Sequence, residues 1–244
     1  MNTLLILKTG STFPALAQTL GDFDDWISGG LDTSAFDIRV VDARSDPLPP
    51  LQGLAGVVIT GSHAMVSERA PWSEAAARWL RGAVQAGLPV LGICYGHQLL
   101  AHCLGGEVGY HPAGIEIGSV EVQLQPAASG DPVLGELPPA FPAQVVHRQS
   151  VRRLPAGAVL LAGSAHEPHQ AFRVGAAAWG VQFHPEFSAQ AMRAYIDALA
   201  PELTEEGHDP QALGAQVVDT PAASRLLRSF ARHVQQVSRL PPSV

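Results

Sequence analysis

The run GICYGHQLLAHCLGG, residues 92–106, constrains this chain more than any other stretch. It follows the apolar segment Leu88-Pro89-Val90-Leu91 and sets Cys94 between Gly92 and Gly96, which predicts a buried strand turning abruptly into a helix with a thiol at the corner. Such a corner holds its residue in a strained backbone conformation. Glycines on either side let strand and helix approach closely enough to present the sulfur. At the N-terminus of a helix beginning near Tyr95, unpaired N–H groups and the macrodipole favour negative charge, on the sulfur or on an oxyanion.

A nucleophile needs a base, and GVQFHPEF, residues 180–187, supplies the candidate. It reads as a strand ending in His184-Pro185-Glu186. Residues i and i+2 of an extended chain share a face, so His184 and Glu186 project together, and Pro185 restricts the backbone between them. Glu186 then orients the imidazole and stabilises its charged form, while the other ring nitrogen is free for the sulfur: the logic of a Cys-His-acid triad.

Around these segments the elements alternate as a parallel sheet requires. Residues 2–8 and 36–42 read as strands flanking a helix through Ala15 to Trp26, and 56–60 as a third strand. A helix over 71–87 opens at Pro71, carries Ala76, Trp79, Leu80, Ala83 and Val84 on one face, and stops at Gly87. In such sheets ligands bind beyond the carboxyl ends of the strands, where Gly61 and Cys94 both fall. After Gly105 shorter runs at 115–125, 143–146, 159–162, 170–174 and 177–183 predict antiparallel or mixed strands that complete the sheet. Ser188 is the expected N-cap of a helix burying Met192, Tyr195, Ile196 and Leu199. The polar stretch 201–210 reads as loop. Thr220-Pro221 opens a last helix whose Leu227, Phe230, Ala231 and Val234 form a stripe expected to pack on its own domain. The reading is one α/β domain over 1–200 with an extension over 201–244.

Together the Cys94 and His184 segments resemble the class I glutamine amidotransferases, triad enzymes that release ammonia from glutamine, and look nearest to the glutaminase portion of GMP synthase and its free-standing relatives. A third segment, VVITGSHAMVSERAPW at residues 57–72, resembles the family's strand and glycine loop. The resemblance spans roughly residues 1–190 and implies a flavodoxin-like, mainly parallel sheet flanked by helices. It implies Cys94 as nucleophile, His184 as base, Glu186 as orienter, and the N–H groups of Tyr95 and Gly61 as oxyanion donors. Gln98 matches the family glutamine that contacts the substrate amino acid. VVHRQSVRRLP, residues 145–155, departs from a His-Gly-Asp type sequence beside the glutamine pocket: Arg148 and Gln149 replace its last two residues and become the substrate-contact candidates there.

Composition bounds the alternatives. The 244 residues are 46% hydrophobic, enough for a substantial core, and carry a formal net charge of −7, which argues against a nucleic-acid or anionic-membrane surface. No apolar run approaches the roughly 18 residues of a membrane span, and Leu4-Leu5-Ile6-Leu7 is too short for a signal-peptide core, so a cytoplasmic location is expected. Cys94 and Cys103 sit too far apart on one helix for a disulfide, and Cys103 reads as a small buried hydrophobe. Among the ten histidines, His166 and His169 frame HEPH, whose Pro168 spoils a helical metal pair. His97 and His102 do not share a helix face; His147 lies near the expected substrate pocket; Glu68 and Arg69 follow the Gly61 loop. No metal and no cofactor are expected.

Three functions compete. In the first, glutamine is hydrolysed through a thioester and the ammonia passes to a synthetase on another chain, since these residues hold neither an ATP-binding phosphate loop nor room for a second catalytic domain. In the second, the same chemistry cleaves a γ-glutamyl peptide or conjugate without a partner. The third is a binding or regulatory module with a vestigial site. Under the first, glycine at position 61 leaves the second oxyanion N–H free to point away until a partner docks, so the isolated chain is expected to work poorly.

Overall fold

Runs of consecutive apolar residues suit strands covered on both faces, and four such runs make the middle of the sheet: β1 (Thr3–Lys8), β3 (Leu54–Ile59), β4 (Val90–Ile93) and β11 (Ala178–Val181). The structure, a computed structural model, describes residues 3–31 and 36–239; residue 2 of the expected first strand and residues 240–244 of the expected extension lie outside them. With β2 (Asp37–Asp42) at one edge, these five strands are parallel in the order β2-β1-β3-β4-β11. The sheet continues antiparallel through β10 (Ala171–Val174), β9 (Val159–Gly163), β6 (Glu116–Leu124) and β7 (Ala140–His147). The expected mixed α/β sheet is therefore present, and its parallel half carries the site. A small second sheet, β5 (Glu107–Tyr110) with β8 (Gln149–Arg153), has no counterpart in the sequence reading.

One face of the sheet is covered by α3 (Pro71–Gln85) and α4 (Tyr95–Cys103), whose Ala76, Leu80, Leu99 and Leu100 meet Leu5, Leu7, Val57 and Ile59. The other is covered by α2 (Phe23–Gly30) and α8 (Pro221–Ser238), with Ile27, Leu227, Phe230 and Val234 against Leu4, Ile6, Leu91 and Val181. The apolar stripe of α8 is thus spent on its own sheet.

Two expectations are corrected. The single helix through Ala15 to Trp26 is two, α1 (Pro14–Leu20) and α2, because Gly21 takes φ 84° and Asp22 starts a new helix with a capping box closed by Asp25. The stretch expected as loop holds α6 (Ala200–Glu205), and α7 (Pro210–Ala215) follows. Proline at the first turn of each, and an Asp209 side chain accepting the N–H groups of Gln211 and Ala212, start helices in a segment whose polarity had masked them. Before them, α5 (Ala189–Ala198) is capped as expected, by Ser188 Oγ accepting the Ala191 N–H at 3.0 Å.

Candidate active site

The turn between β4 and α4 is the strained corner that its sequence predicts. Cys94 stands at φ 50°, ψ −99°, one of two non-glycine residues with positive φ among the described residues. Both flanking glycines are required by space. A Cβ on Gly92 would lie 2.3 Å from the Gly96 carbonyl oxygen, and one on Gly96 would lie 2.6 Å from that of Ile59. Strand, helix and the neighbouring β3 therefore touch backbone to backbone under the sulfur. Gly180 lets β11 press in the same way against His97, whose Nδ1 would be 2.7 Å from an added Cβ. His97 is fully buried, and burial pushes its pKa down to about 3, so it is a neutral wedge under the helix.

Beyond β11 the chain brings His184 beside the corner. Its N–H donates to the Gln144 carbonyl at 2.7 Å, a bridge that fixes the backbone just past the strand. Its ring lies 4.2 Å from that of Phe187, and Nδ1–H donates to Glu186 Oε1 at 2.7 Å, with both side chains buried. Nε2 has no partner among the described residues. Burial opposes a charge on this imidazole, but Glu186 on one side and Cys94 on the other outweigh it and raise its pKa to about 10. Gly61 completes the cluster: the position of a Cβ there would be 3.2 Å from His184 Cε1 and 3.9 Å from Cys94 Cβ, so a bare backbone at this place leaves the ring and the sulfur room. Tyr95, the first residue of α4, has a backbone N–H that no helical carbonyl can reach.

A cleft of about 310 Å³ opens over Cys94. One wall is aromatic, with Phe13, Phe23, His63 and Tyr195. Tyr195 is tied to Thr12 Oγ1 at 2.9 Å and to His63 Nε2 at 3.1 Å, and burial keeps His63 below its usual pKa, the charge of His184 adding to the effect. The opposite wall is amide-rich. Gln98 donates to the Gln149 carbonyl at 2.7 Å and to Gln182 Oε1 at 3.0 Å, and Gln149 exchanges hydrogen bonds with Ser67. At the mouth Arg148 pairs with Glu202 of α6 at 3.0 Å and with Glu206, the C-cap of that helix, at 2.5 Å.

Every site residue expected from sequence therefore borders or supports one cleft: Cys94, His184, Tyr95, Gln98, Arg148 and Gln149 line it, with Glu186 behind the imidazole and Gly61 against it. The remaining candidates fall elsewhere. His102 pairs with Glu74; His166 stacks on His111; and Glu68 and Arg69 are exposed away from the mouth. His147 also lines the cleft, but Nε2 is held by the buried Glu116 at 2.8 Å. No group of three or more metal-ligating side chains occurs among the described residues, nor any helix long and apolar enough to cross a membrane. Missed from sequence were Phe13, Phe23, Tyr195 and Glu202, which carry no motif and converge only through folding, and His63, which sits inside the segment 57–72 but was not singled out.

Comparison with known proteins gives this chain a family. The model for class-I glutamine amidotransferases matches residues 23–198, and the chain belongs to that family. A glutamine-hydrolysing GMP synthase from Aeropyrum pernix is 41% identical over 150 residues, 60% of this chain but 26% of that protein, so the chain spans about a quarter of this relative's length. A γ-glutamyl-L-1-hydroxyisopropylamide hydrolase from a Pseudomonas species is 31% identical over 175 residues, 67% of this chain and 59% of that protein. The crystal structure of a glutamine amidotransferase from Thermotoga maritima superposes with TM-score 0.76 at 24% identity, covering 96% of this chain and 97% of that one, a likeness of fold.

Proposed function

We propose that this chain hydrolyses the side-chain amide of glutamine, giving glutamate and ammonia for a synthetase on another chain. The observation that carries the reading is the corner itself: a strained Cys94 held by two obligatory glycines, with a charged imidazole beside it and a buried carboxylate on the imidazole's far side. Cys94 Sγ attacks the amide carbon, and the carbonyl oxygen becomes an oxyanion received by the N–H groups of Tyr95 and Gly61. As the tetrahedral species collapses, the C–N bond breaks and the nitrogen takes the proton from His184 Nε2, leaving as ammonia. Water then attacks the thioester, with the now neutral His184 as base, and glutamate departs. Glu186 keeps the ring's Nδ1 protonated and its Nε2 turned to the sulfur. Gln98, Arg148 and Gln149 lie where the amino-acid end of the substrate would rest.

An ammonia-release assay on the purified chain tests the reading. Wild type should release ammonia from glutamine; Cys94→Ala should abolish it. Iodoacetamide should label Cys94 far faster than Cys103, which is buried and whose thiol burial pushes up to about 12. A second reading has support of its own: the cleft's wall of Phe13, Phe23 and Tyr195 suits an apolar leaving amine, and one relative is named as a hydrolase of a γ-glutamyl amide.

A further inference from the structure

The sequence uses the tripeptide Thr-Gly-Ser twice, at 9–11 and 60–62, and the fold sets the two copies side by side at the carboxyl ends of β1 and β3. The two threonines are fully buried, and their hydroxyls meet 3.2 Å apart, with Thr9 Oγ1 also 3.1 Å from the Gly61 carbonyl oxygen. The Thr9 N–H donates to Thr60 Oγ1 at 3.0 Å; Thr60 Oγ1 then donates to the Gly61 carbonyl at 2.9 Å; Thr9 Oγ1 donates to the Thr60 carbonyl at 2.9 Å. Each of two successive peptide planes is thus held by its carbonyl. Gly10 makes the approach possible, because a Cβ there would be 2.6 Å from Ser62 Oγ.

A trans peptide points its N–H opposite to its C=O. The Thr60 carbonyl is drawn toward β1, so the Gly61 N–H is turned to the other side of β3, where β4 ends in Cys94. We infer that Thr9 is a positioning residue that sets the oxyanion donor of the Gly61 loop before substrate arrives. Reversing that peptide would strand a buried carbonyl without its donor, a cost that glycine's own conformational freedom does not offset. Such a lock argues against a loop that flips freely.

The assignment rests on the thioester reading of the site, and its test separates the two. Thr9→Val keeps the shape and removes the hydroxyl. It should lower kcat roughly tenfold to a hundredfold, less than the 100- to 1000-fold loss of a whole donor, with KM for glutamine unchanged. The rate of Cys94 alkylation by iodoacetamide, which builds no oxyanion, should stay at the wild-type value, and Thr9→Ser should restore turnover. Unchanged kcat, a change confined to KM, an equal fall in alkylation, or failure of serine to rescue would each overturn the role of Thr9. Should Thr9→Val fail to fold, Thr60→Val against Thr60→Ser puts the same question to the neighbouring peptide. A wild-type chain that releases ammonia from no γ-glutamyl amide would bring down the proposed function, and the Thr9 assignment with it.

Discussion

At the scale of single residues the decisive balance is at His184. Burial would strip its proton, yet Glu186 and Cys94 hold the pKa near 10 against an unfolded value of 6.5. Between those limits the folded chain binds a proton that the unfolded chain does not. The stabilisation is therefore complete below about pH 6.5 and is lost as pH rises through about 10. Melting temperature should fall across this window in wild type and fall less steeply in Glu186→Gln, where the imidazole has lost its carboxylate; parallel curves would show that Glu186 does not hold the charge. Cys94, His184 and Glu186 were legible in the sequence because their chemistry needs fixed local spacing: glycines around a corner, and two side chains on one face of an extended segment. Thr9 was not, since a threonine at a strand end has many uses, and only its pairing with Thr60 across the sheet gives it one. The repeated Thr-Gly-Ser was the available signal.

Elements decide what reaches the cleft mouth. The sheet and its buried helices follow from apolar runs and 3.6-residue periodicity, whereas α6 has the single buried residue Leu203 and so too little pattern to be read. That short helix and its C-cap nevertheless bring Glu202 and Glu206 to Arg148, a cleft-lining residue that the sequence singled out without showing that it arrives already paired. Side chains at this mouth are partly solvated, and such pairs contribute about 0.2–1 kcal/mol. Arg148→Ala, which breaks two such pairs, should accordingly shift the melting temperature by no more than about 8 °C in a chain this size. Its effect belongs in binding: KM for glutamine should rise several-fold with kcat little altered, measured by steady-state ammonia release. A lower kcat at constant KM would move Arg148 from the substrate's amino-acid end to the chemical step.

For the whole molecule the question is whether the site waits for a partner. Restraint by a flipped oxyanion peptide would cost the resting enzyme about 100- to 1000-fold, and docking would have to restore at least that factor. If Thr9 and Thr60 lock the loop as inferred, there is no such peptide to turn, for both carbonyls already accept hydrogen bonds in the isolated chain. On that reading a synthetase would act on the cleft mouth, through α6 and Arg148, on substrate entry and not on the oxyanion. The purified chain should therefore turn over glutamine unaided, and a candidate synthetase should change kcat by less than about tenfold, well short of the gain from supplying a missing donor. Activation of a hundredfold or more would mean that the Gly61 peptide does flip in solution. Running the same assay on a γ-glutamyl amide with an apolar amine decides between the two substrate readings. If kcat/KM for that conjugate far exceeds the value for glutamine, with no response to any synthetase, the aromatic wall of Phe13, Phe23 and Tyr195 is a leaving-group pocket, and the chain is a γ-glutamyl hydrolase using the same Cys94, His184 and Glu186.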